Sequence, residues 1–191
     1  MGTKLNLSGV VSESIVDGPG IRMTIFTQGC PHHCKGCHNP ETWAFEPRHS
    51  GDVDKILSVA VKNKILQGMT FSGGEPFCQA EALAELAQKC RENGLNVMSY
   101  SGYTFEELVA GSREKPEWME LLKNLDYLVD GPFIEEQRSL MLLFRGSKNQ
   151  RFLDVPESLR QGKAIPVNEE TLYSITVALP AHHPTIPRTS G

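Results

Sequence analysis

Three cysteines within eight residues, Cys30-Pro31-His32-His33-Cys34-Lys35-Gly36-Cys37, carry the clearest chemistry in this sequence. Thiolates this close can wrap one soft metal centre, and Gly29 and Gly36 permit the tight loop that requires. Two kinds of centre fit. Zinc would take the three sulfurs and one of His32, His33 or His38, as a closed structural site. A four-iron cluster would take the three sulfurs and leave one iron free for an external chelating ligand, which makes the loop catalytic. Spacing alone leaves both open. The other two of the five cysteines have no ligand spacing. Cys90 falls on the apolar face of a helical pattern and reads as core. Cys78 follows Pro76-Phe77 at a helix start, and burial is expected there too.

Further candidate groups sit in glycine-punctuated segments. In Ser72-Gly73-Gly74-Glu75-Pro76 the glycines would let a ligand approach the backbone, and Glu75 could accept a charge-assisted hydrogen bond; a plain turn before a helix explains the same residues. Ser101-Gly102-Tyr103 and Asp130-Gly131-Pro132 have the same character.

These groups need elements to position them. Ile21–Thr27 reads as a strand after the turn-rich Asp17-Gly18-Pro19-Gly20. From Asp52 a helical period places Val53, Ile56, Leu57 and Ala60 on one face. A strand at Met69–Ser72 leads to a helix over Gln79–Glu92 with Leu83, Leu86, Ala87 and Cys90 on one face, closed by Asn93-Gly94. A strand at Leu95–Tyr100 follows. Thr104 and Glu107 have capping-box spacing, and Pro116 sits where a helix can begin, with Trp118, Leu121, Leu122 and Leu125 sharing a face. A fourth strand is expected at Tyr127–Val129. Strands alternating with helices predict an α/β fold with a parallel sheet, and right-handed crossovers then bring all the unusual loops to one rim. A closed eight-fold barrel takes about 250 residues, so this chain of 191 residues is expected to form a partial, open parallel β/α barrel. That domain is expected over residues 1–155. Residues 156–191 read as a loop-rich C-terminal extension with one possible strand at Thr171–Leu179 and disordered last residues.

Composition narrows the function. Hydrophobic residues at 39% and charged residues at 22% describe a globular chain. A formal net charge of −4 argues against nucleic-acid binding. No apolar run approaches the roughly 20 residues of a membrane span. An odd, clustered cysteine count without a signal-peptide pattern fits a reducing compartment rather than a disulfide framework, so a cytoplasmic location is expected.

The order of motifs adds a resemblance. C-x3-C-x2-C after a first strand, then Ser72-Gly73-Gly74-Glu75-Pro76 after a second, resembles the radical S-adenosylmethionine superfamily. Asp17-Gly18-Pro19-Gly20-Ile21-Arg22, Gln28-Gly29-Cys30 and Cys37 to Trp43 narrow it to the glycyl-radical-enzyme activating enzymes. Tyr100 to Thr104, Val129 to Phe133 and Gly146 to Arg151 are similar to the activating proteins of anaerobic ribonucleotide reductases. The resemblance covers about residues 6–155. It implies that Cys30, Cys34 and Cys37 ligate a [4Fe-4S] cluster whose open iron binds S-adenosylmethionine. Gly73, Gly74 and Glu75 would meet the methionyl amino group. Gly36, Cys37 and His38 would line the cofactor pocket, where many relatives carry an aromatic residue at the place of Gly36. Ser101 and Asp130 would complete it. The implied chemistry is reductive cleavage to methionine and a 5′-deoxyadenosyl radical, which makes a glycyl radical on an anaerobic ribonucleoside-triphosphate reductase. A flavodoxin-like protein would donate the electron. An activating enzyme for another glycyl radical enzyme, of the formate-lyase type, is the nearer alternative, and a non-catalytic zinc module the more distant one. His32, His33 and Trp43 are the candidate partner contacts, the aromatic foremost, with a core position equally open for Trp43.

Overall fold

The computed structural model describes residues 3–177. One seven-stranded sheet runs through it in the order β3-β1-β2-β4-β5-β6-β7. The strands are β1 (Lys4–Ser14), β2 (Arg22–Thr27), β3 (His49–Asp52), β4 (Gly68–Gly73), β5 (Asn96–Tyr100), β6 (Tyr127–Asp130) and β7 (Arg151–Asp154). The central strands β2, β4, β5 and β6 are parallel, as expected. The edges correct that expectation: β1 pairs antiparallel with β2 and β3, and β7 antiparallel with β6. The reason at the first edge is the connection. Only the turn around Asp17–Gly20 separates β1 from β2, too short for a crossover to a parallel strand.

The helices are α1 (Val53–Lys62), α2 (Ala80–Glu92), α3 (Phe105–Gly111), α4 (Pro116–Lys123), α5 (Val155–Gln161) and α6 (Glu169–Val177). Their starts follow local chemistry. The Asp52 carboxylate accepts from Lys55 N at the head of α1, Thr104 and Glu107 form a full capping box at α3, and Pro116 opens α4. Such caps contribute about 1 kcal/mol each.

Strand alternation divides the apolar residues between two faces. Val97, Leu128 and Leu153 join the large core under α1, α2 and α4. Their neighbours Met98, Val129 and Phe152 point the other way and pack with Leu172 of α6 and, partly buried, Leu143 and Phe144. That second cluster corrects the reading of the C-terminal part. It carries two helices, and Thr171–Val177 is helical where a strand was expected; positions 178 and 179 of that expectation, and the tail read as disordered, lie outside the described residues. The β-branched run suggested a strand, but the Asn168 side chain accepts from Thr171 N at 2.7 Å and so starts a helix.

Near the starts of the parallel strands lies a buried Arg22, 0% exposed. Its guanidinium donates to Thr70 Oγ1 at 2.7 Å, Pro19 O at 3.0 Å, Asn96 Oδ1 at 2.5 Å and Met69 O at 2.8 Å. Burial lowers its pKa to about 10, so it stays charged at neutral pH.

Candidate functional site

A cavity of about 960 Å³ opens at the other end of the parallel strands. Ser72, Gly73 and Gly74 at the end of β4, Ser101 and Gly102 after β5, and Gly131 after β6 all line it. So do Cys30, Cys34 and Cys37, whereas Cys78 and Cys90 do not. No cysteine is disulfide-bonded. Cys30 is buried and the other two of the triplet half-buried. Burial pushes the Cys30 thiol up, against hydrogen bonds from the His32 and His33 backbones that stabilise its thiolate. Asn39 N approaches Cys37 Sγ at 3.4 Å, and Cys37 N donates to Cys34 O at 3.1 Å. Three free thiols and two glycine backbones around one cavity suit an iron–sulfur cluster with a bound ligand. Among the described residues no three His, Cys, Asp or Glu side chains form a ready single-ion site.

The loop leaves β2 and is held at both feet. Gly29 N donates to Thr42 O at 2.8 Å and Cys30 N to Trp43 O at 3.1 Å. The Gln28 side chain donates to Ala44 O at 2.7 Å. Glu75 N donates to Gly29 O at 2.8 Å, joining the loop to the end of β4. Both glycines there are required by this junction. A Cβ on Gly74 would fall 2.3 Å from Gly29 O, and one on Gly73, at φ +93°, 2.5 Å from Thr27 N.

Glu75 does not line the cavity. Its carboxylate, 1% exposed, accepts from Phe77 N at 3.0 Å, Ser101 Oγ at 3.0 Å and Gly102 N at 2.8 Å. His32 Nε2 lies 2.8 Å from Oε2, the oxygen that also accepts from Gly102 N. Asp130, also 1% exposed, is likewise tied into the framework: it accepts from Phe105 N at 2.7 Å and Arg151 Nε at 2.9 Å, and Arg151 Nη2 closes a second bond. His38 lines the cavity with its ring 5.2 Å from Phe133. Gly36 does not line it; it turns at φ +74° against Glu135, which pairs with Lys35 at 3.0 Å. Ser101 borders the cavity while its hydroxyl serves Glu75.

Of the two cysteines outside the loop, one departs from expectation and one agrees with it. Cys78 is exposed, not buried, because the turn of Pro76–Gln79 presents it outward. Cys90 is core: it is 0% exposed and its thiol is pushed up to about 12 by burial. Of the three expected partner contacts, His32 is engaged with Glu75, and His33 stacks on a half-buried Trp43 at 4.9 Å. Sequence reasoning did not find Ile15, Val16, Tyr100, Leu140, Phe144 and Thr176 on the cavity wall. Tyr100 opens one recognised motif and Ile15 and Val16 precede another, and that position was the available signal. Thr176 reaches the wall only because α6 folds back, which nothing local indicates.

A family model described as a 4Fe-4S single cluster domain matches residues 16–153, a stretch that contains the cysteine loop. An anaerobic ribonucleoside-triphosphate reductase-activating protein from Vibrio cholerae is 37% identical over 144 residues, 71% of this chain and 89% of the relative. The protein of that name from Escherichia coli is 33% identical over 144 residues, 71% of this chain and 90% of its own length. One from Enterobacteria phage T4 is 29% identical over 153 residues, covering 77% and 92%. With its three thiols, its glycine-lined rim and these matches along most of its length, the chain belongs to the family of anaerobic ribonucleoside-triphosphate reductase-activating proteins.

Proposed function

We propose that this chain makes a glycyl radical on an anaerobic ribonucleoside-triphosphate reductase by cleaving S-adenosylmethionine reductively at a [4Fe-4S] cluster on Cys30, Cys34 and Cys37. The observation that carries this reading is that these thiols, alone among the five cysteines, line one cavity with the Gly73-Gly74 backbone. A cluster bound there would supply the one electron for cleaving S-adenosylmethionine to methionine and a 5′-deoxyadenosyl radical, which would become 5′-deoxyadenosine on taking a hydrogen atom from the partner's glycine. The chain's own residues bind and orient. Cys30, Cys34 and Cys37 hold the cluster. Gly73 and Gly74 offer backbone to the methionyl group, and Ser101 and His38 border the same space.

Ile15, Val16 and Leu140, all largely exposed, also line the cavity. Such an apolar lip suits a protein loop better than a small polar substrate. The four parallel strands are read as part of an open β/α barrel, whose open side admits the glycine-bearing loop. The electron comes from a flavodoxin-like donor in the cytoplasm. Among the described residues no helix is long and apolar enough to cross a membrane.

The test is release of 5′-deoxyadenosine by reconstituted chain and reductant, with and without the reductase. The reading expects slow release alone and clear acceleration by the reductase, but not by a formate-lyase-type enzyme. Rapid turnover of a small molecule with no protein partner would contradict it.

A further inference from the structure

Glu75 is a buried carboxylate that the proposed chemistry leaves unused. A carboxylate so enclosed must have its acceptor sites filled. Its donors come from three separate segments: Phe77 N in its own turn, Ser101 Oγ and Gly102 N after β5, and the His32 ring in the cysteine loop. His32 is seated closely. A Cβ on Gly102 would fall 2.4 Å from its ring, and the ring meets Tyr103 edge-on at 4.4 Å. It lies midway between Cys30 and Cys34. Its bond to Glu75 ties this stretch of loop to the strand ends, while the neighbouring His33 is stacked on the loop's return leg at Trp43.

We propose that Glu75 is a positioning residue that acts through His32. It fixes the path of the loop from Cys30 to Cys34 relative to the Gly73-Gly74 backbone and the β5 terminus, so that cluster and S-adenosylmethionine meet in a set geometry. This rests on the proposed function and departs from the expectation that the Glu75 carboxylate itself meets the methionyl amino group. The geometry leaves that contact to the glycine backbone, because Glu75 is 1% exposed, is engaged by four protein donors and does not line the cavity that Gly73 and Gly74 line.

The experiment uses the full chain, reconstituted anaerobically, as wild type and as His32→Ala, His32→Gln and Glu75→Gln. Iron content is measured, and the electron paramagnetic resonance signal of the reduced cluster is titrated with S-adenosylmethionine. His32→Ala is expected to keep its iron and to need about tenfold more S-adenosylmethionine, the size of one charge-assisted hydrogen bond. In His32→Gln an amide N–H can replace Nε2–H, so most of the loss should return. Glu75→Gln should shift the titration in the same direction as His32→Ala. If His32→Ala titrates like wild type, or His32→Gln is no better than His32→Ala, the positioning role is overturned. Loss of binding in Glu75→Gln alone would mean that Glu75 touches the ligand directly, which also overturns it. The histidine pair decides the matter even if Glu75→Gln fails to fold. A wild-type cluster whose signal ignores S-adenosylmethionine would instead sink the proposed function, and that outcome is visible without any variant.

Discussion

The two ends of the parallel strands both bury charge, and Arg22 at one end and Glu75 at the other use it differently. Near the strand starts, Arg22 donates to the side chains of Thr70 and Asn96 and to the carbonyls of Pro19 and Met69. All of these are fixed parts of the sheet or of the turn before it. At the strand ends, Glu75 collects donors from a strand end, a turn and the cysteine loop. The first arrangement closes a framework; the second joins a framework to the loop proposed to hold the cluster. In α/β folds the carboxyl ends of the strands carry function and the opposite end stability, and this pair of residues shows the division in one molecule.

The largest effect should separate the cysteine loop from everything else. Replacing Cys30, Cys34 or Cys37 by Ala is expected to abolish glycyl radical formation and to lower the iron held after reconstitution. Cys90→Ala should keep both and lose about 1–2 kcal/mol of stability, the cost of a small buried side chain, as read from a denaturant midpoint. Full radical yield from a Cys34→Ala chain would remove the basis of the comparison.

The strand-start end should fail by unfolding. Arg22→Met removes the donors that satisfy Pro19 O and Met69 O in the interior, and the expected loss is about 2–4 kcal/mol, from buried acceptors left unpaired. The protein that remains folded should still bind iron. If stability were unchanged while S-adenosylmethionine binding fell, the two ends would not divide as described.

Gly74 sharpens the contrast. In the sequence Gly74 reads as a place where a ligand approaches the backbone. The structure puts the first collision inside the protein, at Gly29 O next to Cys30. Gly74→Val is therefore expected to lower iron content together with S-adenosylmethionine binding. Normal iron content with binding lost would return the clash to the ligand.

The smallest effect belongs to the exposed pair of Glu106 and Arg151, which meet at 2.7 Å. The hydrogen bond from Arg151 holds the Glu106 carboxyl below its usual value. The pair's contribution is thus present above the ordinary glutamate range and fades as pH falls through the lowered value. Because both side chains are solvent-accessible, Glu106→Gln should change stability by less than about 1 kcal/mol at neutral pH and flatten the acid limb of a stability–pH curve.

What was legible in the sequence was local. The spacing of Cys30, Cys34 and Cys37, the capping pair Thr104 and Glu107 and the one-sided apolar patterns of α1, α2 and α4 all lie within a few turns of chain. What was missed depends on distant partners. Glu75 finds His32 across 43 positions and Gly102 across 27, and no period encodes that. The short β3 and β7 become strands by pairing with β1 and β6, and their own residues have little strand character. The fold of α6 onto Met98, Val129 and Phe152 is likewise a tertiary fact, and it lies beyond the 16–153 stretch that matches the family.

The most direct test of the account is electron paramagnetic resonance of an anaerobic ribonucleoside-triphosphate reductase after incubation with this chain, reductant and S-adenosylmethionine. The account predicts a glycyl radical signal on the reductase, dependent on all three components and absent when Cys30, Cys34 or Cys37 is replaced by Ala. No radical on the reductase from a chain with its cluster intact, or an undiminished radical from a cysteine variant, would contradict it.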